Sequence, residues 1–139
     1  MLSADIICSF PTETEEELTE TVEYLKSIGF LHIHAFSYSK RPGTPAEKLS
    51  GQIPEDIKRQ RMHRFLQECA KMELSAHESK IGTCGTILVE RCTKNVVLGH
   101  TEDFCEAVCL TTTPYKEGDL VSVRVTGFNG ERLVCTPLV

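Results

Sequence analysis

The feature that most constrains the fold is a strand–helix–strand pattern near the start of the chain. Residues 3–10, SADIICSF, form a short apolar run that is typical of a parallel strand covered on both faces. Residues 11–29 then place apolar side chains at helical spacing and end on Gly29, which fits the end of a helix. Residues 30–39 return to strand-like alternation. Because the connections are short, the pattern predicts a βαβ unit with a parallel sheet and a right-handed crossover.

A second predicted helix begins at Pro54 and runs to about His77. After it, the residue pattern changes from helical spacing to short β-rich segments. Five short β-rich segments follow, separated by turn residues, and they predict a small five-stranded antiparallel barrel or, alternatively, a sandwich. We therefore divide the chain into an α/β part, residues 1–77, and an all-β part, residues 78–139. Two strands and two helices cannot complete a (β/α) barrel, so we expect the α/β part to be its last β/α units.

Composition limits the class of protein further. The seven cysteines show no C-x-x-C spacing, and the N-terminal residues lack the basic segment of a signal peptide. No apolar run is long enough to span a membrane. We expect reduced thiols, a cytoplasmic location and no membrane partner. The net charge of −5 argues against bulk electrostatic binding to nucleic acid, although residues 58–64 hold four cations and no acid. That basic run is either a solvated helix face or a phosphate-facing one.

Two loops follow the predicted strands at their carboxyl ends, where β/α enzymes place their sites. They read SFPTETE, residues 9–15, and YSKRPGTPAEK, residues 38–48. The prolines of the second loop fix φ and its glycine permits a tight turn, so Lys40 and Arg41 should project from a stiff platform. The alternative is a plain connector with solvated cations.

Two other clusters favour ordinary packing. His32 and His34 share one side of a strand, but no carboxylate or thiol stands at ligand spacing beside them, so we interpret them as sheet-face residues. Cys105 and Cys109 begin a cluster-binding signature whose third cysteine is replaced by Thr112. Residues four apart in a strand share a face, so we interpret this cysteine pair as barrel packing.

The two loops and their surroundings closely resemble the end of the radical S-adenosylmethionine domain of tRNA methylthiotransferases. The resemblance rests on DIICSFPTETEEELTETVEYLKSIGFLHIHAFSYSKRPGTPAEKL, followed by GQIPEDIKRQR. In that family the first loop reads Gly-Phe-Pro-Gly-Glu-Thr and the second reads Tyr-Ser-x-Arg-x-Gly-Thr-Pro-Ala. The all-β part, with LGHTEDFCEAVCL, resembles the TRAM domain, a small OB-like RNA-binding barrel. The form Lys-Arg-Pro-Gly-Thr-Pro-Ala looks most like the branch that acts on N6-threonylcarbamoyladenosine, and the isopentenyladenosine branch stays open.

The resemblance implies a chemistry and a set of cofactors. In the family, one [4Fe–4S] cluster on a Cys-x-x-x-Cys-x-x-Cys loop cleaves S-adenosylmethionine to a radical that activates C2 of the adenine. A second [4Fe–4S] cluster, on an N-terminal domain, delivers the sulfur and methyl groups. Neither the loop nor that domain is found in this sequence, so we expect no cluster ligand and no catalytic residue here. The missing N-terminal domains and the tRNA anticodon stem-loop are the expected partners.

The resemblance also implies site residues. The S-adenosylmethionine pocket would be lined by Ile7, Ser9, Phe10, Pro11, Tyr38 and Arg41, of which the last two lie on its floor or face the RNA. The family's first-loop glycines are Ser9 and Thr12 here, and their side chains should keep the cofactor from the backbone. Candidate RNA-binding cations are Arg59, Arg61, Lys80, Lys116, Arg124 and Arg132. Three interpretations stay open: the C-terminal fragment of a working enzyme, a stand-alone RNA-binding module, or an inactive remnant.

Overall fold

A computed structural model describes residues 2–138, and the chain divides into two compact units between Ala76 and His77. The first unit contains β1 (Ser3–Cys8), α1 (Glu15–Ile28), β2 (His32–Ser37), a short 3-10 helix (Pro45–Lys48) and most of α2 (Glu55–Glu78). The second contains β3 (Cys84–Cys92), β4 (Val96–Thr101), β5 (Glu106–Leu110), β6 (Leu120–Phe128) and β7 (Leu133–Pro137). Within residues 2–138, no helix combines the length and the apolar character needed to cross a membrane.

The first unit contains the predicted parallel βαβ arrangement. Strands β1 and β2 pair in parallel, with Cys8 opposite Ser37. Helix α1 begins after Thr14, whose side chain accepts a hydrogen bond from the backbone N–H of Glu17 in a full capping box. It ends at Gly29, which adopts a left-handed conformation with φ of 74°. The local sequence signals therefore fix both ends of this helix.

Only one face of the two-stranded sheet is packed. Both helices contribute to a core against that face, and its buried members are Cys8, Leu18, Val22, Leu25, Phe30, Ile33, Phe65, Cys69 and Met72. On the opposite face, Ile7 and Phe36 lie side by side and are 57% and 52% exposed. The prediction of a strand buried on both faces was therefore wrong for β1, because α1 and α2 both pack on the same side.

The second unit is a closed five-stranded barrel in the order β3-β4-β5-β7-β6, which is consistent with an OB-like fold. All five predicted β segments are confirmed. The prediction of a fully antiparallel barrel was wrong for one pairing, since β5 and β7 run parallel with Cys109 opposite Cys135. The reason is geometric: strand directions cannot alternate around a closed ring with an odd number of strands.

The barrel interior consists mainly of inward-facing aliphatic and cysteine side chains. The fully or almost fully buried members are Ile87, Val89, Val97, Cys105, Ala107, Cys109, Val121, Val123, Leu133 and Cys135. Strand β4 comes very close to β3 at Gly99, where an added Cβ would lie 1.8 Å from the carbonyl oxygen of Leu88. Glycine is required there because no side chain fits between the two backbones.

Candidate functional site

The two loops predicted to carry function lie side by side at the carboxyl ends of β1 and β2. The backbone N–H of Tyr38 donates a 2.9 Å hydrogen bond to the carbonyl oxygen of Cys8, which joins the starts of the two loops. The rings of Phe10 and Tyr38 meet edge to face, with their centroids 5.3 Å apart. The structure therefore brings together an aromatic residue from each loop, as expected for neighbouring parallel strands.

The first loop has two residues in a left-handed backbone conformation, which glycine adopts most easily. Ser9 and Thr12 have φ angles of 66° and 76°, in the left-handed region that side chains disfavour. The Ser9 side chain is buried, with its hydroxyl oxygen 3.6 Å from the sulfur of Cys8, so it points away from solvent. The Ser9 N–H donates a 2.6 Å hydrogen bond to Glu13. The substitution at residue 9 thus leaves the outer surface of the loop open.

Arg61 of α2 fastens the first loop to the helix. Its Nε donates a 2.6 Å hydrogen bond to the Glu15 carboxylate, and its Nη1 donates a 2.8 Å bond to the carbonyl oxygen of Glu13. Arg64 also pairs with Glu15. Hydrogen bonds from Arg64 and then Arg61 lower the pKa of Glu15 below its usual value. The guanidinium of Arg61 is therefore committed to the protein's own loop.

Lys58, one turn earlier on α2, fastens the second loop in the same way. Its Nζ donates a 3.1 Å hydrogen bond to the carbonyl oxygen of Tyr38 and lies 5.5 Å from the centroid of that ring. The ammonium also pairs with Glu55 at 2.8 Å. Lys58 and Arg61 are only 4% and 7% exposed, so part of the basic run faces inward.

The remaining predicted helix cation has a different environment. Arg59 lies on the exposed side of α2. Of the two helix residues predicted to contact RNA, Arg59 has a solvent-facing side chain and Arg61 is buried against Glu13 and Glu15. Sequence reasoning missed Lys58 as a loop contact, because this contact depends on how α2 packs against the loop.

The second loop is a preorganised cationic turn. The Gly43 N–H donates a 2.9 Å hydrogen bond to the Glu47 carboxylate, and the Thr44 hydroxyl donates a 2.8 Å bond to the carbonyl oxygen of Arg41. Lys40 and Arg41 are both exposed. These bonds hold the backbone while the two cationic side chains extend from it, as the prolines and the glycine predicted.

Two open cavities next to the loops differ in charge. A cavity of about 560 Å³ beside the first loop carries the carboxylates of Glu13, Glu17 and Glu20. A cavity of about 440 Å³ beside the second loop is lined by Lys40, Lys58 and Glu55, among others. The second cavity is the better place for an anionic group, because two cations and one acid line it.

The barrel cations predicted to contact RNA mostly have acidic or backbone partners. Lys80 pairs with Asp103, and the Nε of Arg132 lies 2.9 Å from the Glu106 carboxylate. Arg124 donates a 2.9 Å hydrogen bond to the carbonyl oxygen of Gly82. The side chain of Lys116 is exposed in the turn before β6. Three of the four barrel cations thus lie around one end of β5 and the segment that precedes β3.

The predicted cysteine pair is buried, and His32 forms an ion pair. Cys105 and Cys109 are buried inside the barrel, which confirms the packing interpretation. Burial, and then the neighbouring Cys109 and Cys105, raises the pKa of Cys135 to about 11, so that thiol stays protonated. His32 pairs with Glu73 through Nδ1 at 2.9 Å. Among residues 2–138, no three His, Cys, Asp or Glu side chains are arranged to hold a metal ion.

The chain is similar in sequence to enzymes that add a methylthio group to tRNA. The chain is 44% identical over 101 residues to a tRNA-2-methylthio-N(6)-dimethylallyladenosine synthase of Aquifex aeolicus, a match that covers 72% of this chain and 23% of that protein. It is 33% identical to the same synthase of Finegoldia magna, over 91% of this chain and 28% of that protein. It is 32% identical to a threonylcarbamoyladenosine tRNA methylthiotransferase of Bacillus subtilis, over 88% of this chain and 32% of that protein.

Family models and solved structures give no further support for a function. No family model matches the chain. Among solved structures, RNase R of Mycoplasma genitalium aligns with 63% of this chain and 20% of that one, at 11% identity and a TM-score of 0.39, which is too low to support an argument. The homologues of this chain are therefore tRNA methylthiotransferases, and it spans between about a quarter and a third of their length.

Proposed function

We propose that this chain works as the C-terminal part of a tRNA methylthiotransferase. In this proposal, residues 1–77 supply the last β/α units of a radical S-adenosylmethionine barrel, and residues 78–139 form a TRAM domain. The main observation behind this proposal is the exposed sheet face of Ile7 and Phe36. It lies next to the two loops that Arg61 and Lys58 hold in place, in a chain whose homologues are tRNA methylthiotransferases. Further β/α units would cover that face and continue the sheet.

The proposed cofactor surface lies where the first loop meets the open sheet face. Ile7 and Phe10 offer exposed apolar area to S-adenosylmethionine, and Tyr38 supports the ring of Phe10. Arg41 would contact the cofactor's carboxylate or an RNA phosphate through its planar fork. Ser9 and Pro11 are buried and would shape the loop rather than touch the cofactor. When bound with an iron–sulfur cluster, S-adenosylmethionine supplies the radical.

The residues of this chain do not fit an iron–sulfur cluster. The buried thiols of the barrel lie in a packed interior, and residues 2–138 contain no arrangement of three metal-binding side chains. We assign no step through a cluster to this chain. Both [4Fe–4S] clusters would belong to other domains of the enzyme, which are partners of this one along with the anticodon stem-loop of cytoplasmic tRNA.

A chimeric enzyme tests the proposal. The segment of the Finegoldia magna relative that matches 91% of this chain is replaced by the matching residues of this chain, and tRNA modified by the chimera is analysed by mass spectrometry. We expect a 2-methylthio group on adenosine beside the anticodon, and the N6 substituent of the product identifies the branch; we propose threonylcarbamoyl. A chimera that folds, holds both clusters and binds tRNA but makes no product would contradict the proposal in favour of an inactive remnant.

Arg41→Lys in the same chimera tests the role of the second loop. Lysine keeps the charge and loses the bidentate fork, so we expect turnover to fall roughly tenfold to a hundredfold. Lys48→Ala removes an exposed cation nearby and is the matched control. Equal turnover of the Arg41→Lys chimera and the parent would make Arg41 a solvated connector residue.

Binding of tRNA by the chain alone tests the second candidate, an RNA-binding module, which the closed barrel of the second unit favours. The logarithm of affinity should fall linearly with the logarithm of salt concentration. Arg59→Ala should reduce that slope by about one unit, because one phosphate contact is lost. Lys71→Ala, on the same helix outside the basic run, should leave the slope unchanged. Absence of binding at low salt would rule out this module.

A further inference from the structure

Phe104 is the most exposed large apolar side chain of the described residues, at 87%. It lies in the turn between β4 and β5. Among the exposed large apolar side chains of residues 77–138 it is the single aromatic one, since the others are Ile81, Leu88, Leu110, Leu120 and Leu138. A singly exposed apolar residue is common in proteins. The backbone conformation and the charged residues around Phe104 suggest a binding role for its ring.

The turn that carries Phe104 is held in one conformation. Thr101 and Cys105 bond through their backbones at 2.9 Å, and the Phe104 N–H donates a 2.9 Å bond to the carbonyl oxygen of Thr101. The Thr101 hydroxyl donates to Asp103 at 2.6 Å and accepts from the Cys105 N–H. Phe104 itself has a φ of 62°, which costs free energy for any residue with a Cβ. The backbone from which the ring projects is thus held in place before any partner arrives.

Two cations pair with acidic residues on either side of Phe104, and a third is bonded to the segment that carries the first of them. Lys80 pairs with Asp103, directly before Phe104 in the chain, and Arg132 pairs with Glu106, two residues after it. Arg124 is attached to the carbonyl oxygen of Gly82, close to Lys80 in the chain. An incoming phosphate could replace either carboxylate as the partner of its cation, since both form charge-assisted hydrogen bonds.

We propose that Phe104 stacks on an unpaired base of an RNA strand while Lys80, Arg124 and Arg132 contact the neighbouring phosphates. This inference rests on the proposed RNA-binding role of the barrel and identifies the residue that performs it. A base-stacking aromatic ring beside cations that follow the backbone is the chemistry of single-stranded nucleic-acid binding. Strands β4 and β5 are the second and third strands of the barrel, the pair whose face binds oligonucleotides in OB-like folds.

The test uses the whole chain and a single-stranded RNA of about 12 nucleotides with 2-aminopurine at successive positions, within the usual site size of such barrels. Phe104→Ala should weaken binding roughly fivefold to a hundredfold and abolish the quenching of 2-aminopurine fluorescence. Phe104→Trp should keep both affinity and quenching. Leu120→Ala, which removes another exposed side chain of the barrel at 71% exposure, is the matched control and should change neither.

A further variant separates stacking from stability. Phe104→Gly relieves the left-handed conformation, so it should unfold at the same or a higher temperature than the parent chain while losing affinity as Phe104→Ala does. Unchanged affinity and quenching in Phe104→Ala would overturn the proposal and leave the ring as a candidate contact for a protein partner. Equal losses in Phe104→Trp and Phe104→Ala would also overturn it. Absence of RNA binding by the parent chain would instead remove the RNA-binding role itself.

Discussion

The Nε of Arg61 lies 2.6 Å from the Glu15 carboxylate, although the two residues are 46 positions apart in the sequence. The same guanidinium holds the backbone of Glu13, so one helix side chain fixes both the loop after β1 and the start of α1. From the sequence, Arg61 looks like part of a solvated basic helix face. In the structure it is buried and joins α2 to the first loop through hydrogen bonds.

Arg61→Ala should therefore destabilise the first unit. It leaves the carbonyl oxygen of Glu13 and the carboxylate of Glu15 without their buried donor, which should lower the free energy of unfolding by about 2 kcal/mol. Urea unfolding followed by circular dichroism at helix wavelengths measures the change. Arg59→Ala, an exposed neighbour, should stay within about 0.5 kcal/mol of the parent. Equal stabilities of the two variants would show that the contact contributes nothing.

Glycine at residue 9 or 12 should stabilise the first loop. Ser9 and Thr12 hold left-handed φ angles, and relief of that strain should exceed the entropy that glycine adds to the unfolded chain by about 0.5–1 kcal/mol at each position. Thermal unfolding of Ser9→Gly and Thr12→Gly measures the gain. Ser9→Ala keeps the Cβ and loses the hydroxyl, so it should give no gain. A gain as large in the alanine variant would mean that the hydroxyl, rather than the backbone, is unfavourable.

Stability of the barrel should fall in acid through Asp103. Burial alone would raise its pKa, but hydrogen bonds from Lys80 and Thr101 outweigh it and place the pKa below the usual 3.8. The carboxylate therefore contributes stability that is present above the unfolded-state value and is lost as the pH falls through the folded-state value. Unfolding measured between about pH 5 and pH 2 should show this loss, and Asp103→Asn should flatten that part of the profile. An unchanged profile in the variant would assign the acid sensitivity to other carboxylates.

Gly99→Ala should damage the barrel more than any other change considered. The added methyl group would lie 1.8 Å from the carbonyl oxygen of Leu88, so strands β3 and β4 would have to separate. We expect a loss of about 3 kcal/mol or more. Gly127→Ala, in β6, brings its Cβ no closer than 3.9 Å to a neighbour and should be nearly neutral. Normal stability of Gly99→Ala, measured by urea unfolding, would mean that the two strands have room to shift.

Local sequence signals predicted the elements well, because caps, turns and hydrophobic periodicity act over a few residues. Gly29 ends α1 as predicted, and the five β segments lie where their patterns placed them. The burial of α2 was predicted less well. Leu66 is apolar and yet 48% exposed, whereas the charged side chain of Arg61 is buried in line with Phe65. Helical spacing places Arg61 on the same side of α2 as Phe65. A charged side chain is nevertheless expected to be exposed unless its partners on another segment are known.

The long-range features lay beyond the sequence for a related reason. The rule that cations lie outside gave no indication that Lys58 would donate to the backbone of Tyr38, since that contact depends on how α2 packs against the loop. The uncovered sheet face was missed because the apolar run of β1 is equally compatible with one or two covering layers. The proposed cofactor and RNA residues rest on resemblance, and the experiments above decide them.

The parallel pairing of β5 with β7 has a consequence for how the barrel assembles. The antiparallel pairs β3–β4, β4–β5 and β6–β7 join strands that follow each other in the chain, whereas β5–β7 and β3–β6 join strands that do not. Loop-closure entropy makes such distant pairings the slow ones. We expect the β3–β4–β5 segment and the β6–β7 hairpin to form first, and the barrel to close later through the β5–β7 and β3–β6 pairings. The amide protons of β7 that bond to β5 should therefore gain protection later during refolding than those that bond to β6.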